Sequence, residues 1–103
     1  EQMKLSHTSS NYFFRKSPSH YHMMLIVMHA YKYNLGLSVE ELKTKLFKTS
    51  RPKSALMIKE ACDKKFFILE KKGKDNRKKY VIPTPNFVNE FNDYLKVLSN
   101  LSF

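Results

Sequence analysis

The sequence predicts a mainly α-helical domain carrying one small β-hairpin, and three observations predict it. Residues 17 to 64 hold three stretches with apolar residues at three- and four-residue steps, broken by short polar or Gly-containing segments. The spacing then changes to alternation on either side of a lysine-rich segment containing Gly73 and Asn76, as in two strands joined by a turn. From Thr84 helical spacing returns. A chain of 103 residues suffices for one domain with a single modest core.

Residues Gln2 to Lys16 mix Ser, Asn and Thr with isolated aromatics and show no clean period, so they read as an arm that docking of Tyr12, Phe13 and Phe14 would order. The first helix is predicted to begin near Ser17, where Ser-Pro-Ser supplies a capping hydroxyl and a proline whose missing N–H is not needed in a first turn. It runs to about Tyr33, with Tyr21, Met24, Leu25, Met28 and Tyr31 as its apolar stripe and Ile26 and Val27 widening it. Asn34, Leu35 and Gly36 end it, Gly36 being suited to a left-handed turn.

The second helix has the clearest start. Ser38 can accept from the N–H of Glu41 while Glu41 reaches back to the N–H of Ser38, and Leu37 can staple onto Leu42. Glu40 and Glu41 suit the positive end of the helix dipole, so no acid/base pair is needed to explain them. Leu42, Leu46 and Phe47 turn to the core, and the helix ends about ten residues after it began. Lys48-Thr49-Ser50 bridges to a third helix with Arg51 and Pro52 in its first turn, continuing to roughly Lys64. Ala55, Ile58 and Cys62 are expected on its buried face, leaving Lys53, Ser54 and Met57 outward. Cys62 then reads as a small buried apolar residue rather than a redox sensor.

Phe67 and Leu69 fall on one side of the first strand, Tyr80 and Ile82 on one side of the second. The tip between them, Lys71-Lys72-Gly73-Lys74-Asp75-Asn76-Arg77-Lys78-Lys79, carries six basic residues. The last helix takes Thr84 as cap and Pro85 in its first turn, with Phe87, Val88, Phe91, Tyr94, Leu95 and Leu98 as an amphipathic stripe. Two helices joined by a tight polar turn, preceded by a longer one and followed by a two-stranded ribbon, form a winged helix-turn-helix with a C-terminal helix. The organisation expected is an arm at 1–16, the winged helix-turn-helix at 17–83, and a C-terminal helix at 84–103 available for dimerisation.

Lysine plus arginine number 19 against nine acidic residues, a formal charge of +10, which fits a surface that meets a polyanion. The same lysine bias also arises from an A·T-rich genome, so placement has to decide. The three arginines are Arg15, Arg51 and Arg77, and the last two fall at the start of the third helix and at the wing tip. Arginine reads guanine edges bidentately and suits narrow minor grooves better than lysine does. The expected partner is therefore double-stranded DNA, contacted by Ser50, Arg51, Lys53, Ser54 and Met57 from the third helix and by Lys72, Lys74, Asp75, Arg77, Lys78 and Lys79 from the wing. A homodimer is expected because symmetric sites call for symmetric proteins.

Other chemistry finds little footing. The two glycines, Gly36 and Gly73, are too far apart for a phosphate loop, and no serine or cysteine sits in a nucleophile motif. His22 and His29 lie two helical turns apart, not at the three- or four-residue spacing of metal ligands, and neither they, His7 nor His20 has a local acid or cysteine to complete a site. No enzyme, cofactor or metal is expected. The longest apolar run, Met23 to Met28, falls far short of the roughly twenty residues a bilayer requires, and nothing after Glu1 reads as a secretory leader. A single cysteine excludes an internal disulfide and fits a reducing cytoplasm, with association to the nucleoid if the source is bacterial.

From roughly Ser19 to Phe91 these residues resemble the MarR-type winged-helix regulators. The wing carries the resemblance: Asp-x-Arg, a valine-like residue, then a Leu-Thr pair opening the next helix corresponds here to Asp75, Arg77, Val81 and Thr84 at matching spacing. The resemblance implies that Arg77 reaches the minor groove, that Asp75 helps to set the wing's conformation, and that the third helix sits in the major groove. Two positions depart from the pattern: Phe66 stands where such proteins usually have a glycine after the third helix, and Pro83 replaces the usual leucine. The terminal helices are also shorter than the family's, so small-molecule sensing is not carried over. The competing classes are a winged helix used for protein contacts or as a structural module, and a replication or partition protein of a mobile element.

Overall fold

The computed structural model describes residues 12–46, 48–71 and 78–101. After a helical turn at residues 12–14 come α1 (Pro18–Lys32), α2 (Val39–Lys45), α3 (Arg51–Asp63), β1 (Phe67–Lys71), β2 (Lys79–Pro83) and α4 (Pro85–Leu101). The two strands pair antiparallel, Phe67 opposite Pro83 and Leu69 opposite Val81.

The expected starts of the helices are all present. Ser17 Oγ accepts the His20 N–H at 3.2 Å ahead of Pro18. Ser38 and Glu41 exchange both capping-box bonds at 3.1 Å. Ser50 Oγ accepts the Lys53 N–H at 3.3 Å, and Thr84 Oγ1 accepts that of Phe87 at 3.2 Å. α2 is shorter than the ten residues expected, closing after seven at Lys45.

Two helix ends differ from expectation and share one geometry. After α1 the left-handed residue is Asn34, at φ 56°, and not Gly36; the Asn34 N–H donates to Tyr31 O at 3.2 Å and the Leu35 N–H to Ala30 O at 2.8 Å. Gly36 is small for another reason, since a Cβ there would stand 3.2 Å from Tyr80 Cε2. After α3 the left-handed residue is Lys65, at φ 64°, with its N–H on Cys62 O and the Phe66 N–H on Ala61 O, both at 2.9 Å. The exit is thus the ordinary Schellman motif with a lysine where glycine is favoured, and Phe66 follows it as a core residue.

The core lies where α1, α2, α3 and the hairpin meet, and the arm's end belongs to it. Phe13 and Phe14 are buried, and the Phe14 ring lies 5.4 Å from Phe66, 5.5 Å from Phe67 and 5.1 Å from Phe87, centroid to centroid. Burying each such ring contributes about 1.5–3 kcal/mol, so docking of the arm is a substantial part of the fold's stability. Tyr12, expected to dock with them, is exposed. α1 is rotated relative to the stripe expected: its buried residues are His20, Met23, Met24, Val27, Met28 and Ala30, while Tyr21, Leu25 and Tyr31 face outward. The hairpin buries Phe67, Val81 and Pro83, leaving Leu69 exposed and Ile82 half-buried. β2 is also tied to the chain ahead of α2, where the Val81 N–H donates to Leu37 O at 2.8 Å and Tyr80 bridges to Ser38.

Candidate nucleic-acid interface

The outward arc of α3 is set by what the helix buries. Ser54 (0 % exposed), Met57 (1 %), Ile58 and Ala61 point into the core. The expectation that Ser54 and Met57 face a groove is therefore corrected: residues 54, 57, 58 and 61 recur at steps of three and one, a single inward face at 3.6 residues per turn. Ala55, expected inside, is exposed, and Cys62 is half-buried at the edge. Burial pushes the Cys62 thiol up, aided by Asp63, which leaves it a poor nucleophile.

Outside lie Arg51, Pro52, Lys53, Ala55, Leu56 and Lys59, all exposed. Leu56 and Lys59 were missed from sequence because the face was phased about one residue off. Ser50 is exposed at the cap position with its hydroxyl engaged by the helix N-terminus. Arg51 Nη1 donates to Glu40 Oε1 at 3.2 Å across the turn between α2 and α3, and Lys43 Nζ donates to Glu40 Oε2 at 3.3 Å. Hydrogen bonds from Arg51 and then Lys43 hold the Glu40 carboxyl below its usual range. Lys59 pairs with Asp63 at 3.2 Å.

Lys78 and Lys79 are exposed where the chain returns into β2. Lys78 also lies close enough to α2 to help hold the Glu41 carboxyl low, behind the larger effect of the hydrogen bonds with Ser38. Of the other wing residues singled out, Lys72, Lys74, Asp75 and Arg77 lie outside the described residues, as does Phe47. The remaining members, Arg51, Lys53, Lys78 and Lys79, are exposed cations on α3 and β2.

The histidines do not converge. His20 is buried, with Nδ1 2.7 Å from Ser17 Oγ and Nε2 without a partner among the described residues; burial, then Lys16, depress its pKa. His22 and His29 border an open groove of about 680 Å³ between α1, α2 and α4, beside Leu25, Phe91 and Leu95. Among the described residues no group of His, Cys, Asp and Glu is placed to hold a metal ion, and no helix is long and apolar enough to cross a membrane.

No protein-family model and no curated protein matches the chain. Solved structures do. The complex of S. aureus MepR with DNA superposes at a TM-score of 0.69 and 13 % identity, covering 97 % of this chain and 78 % of that one. A MepR mutant gives 0.66 at 13 % identity over 96 % and 74 % of the two chains. The haem sensor protein PefR, in complex with haem and carbon monoxide, gives 0.60 at 19 % identity over 89 % and 63 %. The chain has the fold of the MarR-type regulators. In that MarR-type winged helix, α2 and α3 are the helix-turn-helix, β1 and β2 the wing, and α4 the C-terminal helix.

Proposed function

We propose that this protein is a sequence-specific, duplex-DNA-binding transcriptional regulator with no catalytic activity. What carries the reading is the coincidence of fold and charge: the outer arc of α3 and the return of the wing, the parts a winged helix offers to DNA, bear Arg51, Lys53, Lys59, Lys78 and Lys79 as exposed cations. The resemblance to MepR bound to DNA supports it. In this reading α3 enters the major groove, Arg51 and Lys53 reach phosphate or a guanine edge, and the wing lies along the minor groove with Arg77 inserted and Asp75 shaping the tip. Ser50 acts through the helix it caps.

The reading includes a homodimer built partly through α4. Beyond Phe91 this helix keeps Leu95 and Val97 exposed, and an inverted-repeat site matches a two-fold protein. It places the protein with the chromosome in the cytoplasm and requires no cofactor. Selection of bound sequences from a random duplex pool tests it: recovery of an inverted repeat is expected, and no enrichment would shift the function to protein contacts. Sedimentation at micromolar concentration checks the dimer, which a strict monomer would remove.

A further inference from the structure

The outward crest of α3 is not uniformly polar. Leu56 is 55 % exposed, and at about 100° per residue it stands some 200° from both Ser54 and Ile58, on the side away from the core. Ala55, also exposed, adjoins it to make a small apolar patch in mid-helix. Arg51 and Lys53 lie before this patch and Lys59 after it, all exposed. Cations at both ends suit phosphates, whereas the apolar middle suits whatever lies between the two phosphate rows.

In a major groove, guanine, adenine and cytosine present donors and acceptors, and only thymine adds a methyl group. A leucine side chain can neither donate nor accept, so placing it over a polar base edge would strip that edge of water without replacement. Placed over a thymine methyl it removes apolar surface of both partners from water. We infer that Leu56, with Ala55, is a specificity-determining contact that reads thymine methyl groups near the centre of each half-site. This rests on the proposed DNA reading and adds to it the base preference of α3.

The test uses the duplex recovered by selection and copies in which single thymines are replaced by deoxyuridine, which removes only the methyl. Affinities are measured at fixed salt for wild type and Leu56→Ala, with thermal melting to confirm that the variant is folded. Wild type should lose about fourfold at one or two positions per half-site, the equivalent of one methylene's burial. In Leu56→Ala the thymine-to-uracil ratio at those positions should fall towards one, while the salt slope, which counts phosphates, stays the same. Tight binding by wild type with no discrimination at any position, or full discrimination retained by Leu56→Ala, overturns the inference and leaves the DNA reading intact. Absence of salt-dependent duplex binding by wild type overturns both.

Discussion

Replacing Ser54 with alanine should stabilise the protein and leave its DNA affinity alone. The Ser54 hydroxyl is fully buried near the start of α3 and has no hydrogen-bond partner among the described residues. Burying a hydroxyl unpaired costs about 1–3 kcal/mol in proteins, and alanine is better than serine inside a helix by roughly 0.5 kcal/mol. The small void left by the oxygen offsets a few tenths of a kcal/mol. The net gain is about 1–3 kcal/mol, and each kcal/mol raises Tm by about 4–8 °C in a domain near this size. Urea unfolding followed by helical circular dichroism gives the stability, and duplex titration gives the affinity. A Ser54→Ala protein less stable by 1 kcal/mol or so would mean that the hydroxyl has a partner. Unchanged stability with lost DNA binding would mean that it faces the groove, and the placement of α3 would be wrong.

Lys65 sits at φ 64°, where a side chain costs about 1 kcal/mol relative to glycine, so Lys65→Gly should raise stability by about 0.5–1 kcal/mol and Lys65→Val should lower it by more than that, both read from urea midpoints. His20 has a folded pKa depressed below 6.5, first by burial and then by Lys16, with Lys53 acting the same way and Glu60 opposing. The unfolded chain therefore takes up the proton first as pH falls; this contribution is complete above 6.5, declines below it and levels off beneath the folded value, so the unfolding midpoint should drop between about pH 7.5 and pH 5 in wild type and less in a folded His20→Gln. In the proposed DNA reading Glu40 competes with phosphate for Arg51, and Glu40→Gln should raise duplex affinity roughly twofold to fivefold at low salt, an advantage that shrinks as salt is added; equal affinities at low salt would show that Arg51 does not meet DNA.

Much of the architecture was legible because it rests on local chemistry. Ser17 before Pro18, the Ser38–Glu41 box and Thr84 before Pro85 each satisfy helix N–H groups within three residues, and each marked its helix correctly. The errors arose where tertiary packing overrides the apolar pattern. Ser54 is small enough to let α3 approach the core, and His20 stacks edge-on against Phe13 at 5.1 Å, so two polar residues occupy inward positions and rotate both helices from the faces expected. The pair Met57 and Ile58 with Ala61 carried the correct phase of α3 and was outweighed by Ala55 and Cys62. Left-handed exits at Asn34 and Lys65 were hidden because glycine was sought there. The Arg51–Glu40 contact spans 11 residues across a turn, and no spacing rule within one helix reveals it. The Asp75 to Thr84 spacing, by contrast, identified a fold that the superposition on MepR then bore out.

The central claim is that α3 and the wing of this protein bind duplex DNA through phosphate neutralisation and base contacts. The most direct measurement is the duplex affinity of wild type at several salt concentrations, with Lys78→Ala in parallel. Neutralising about five phosphates predicts a log–log slope near −4 to −5, and loss of one phosphate contact in Lys78→Ala should reduce its magnitude by about one. A flat salt dependence, or no binding at low salt, would contradict the account.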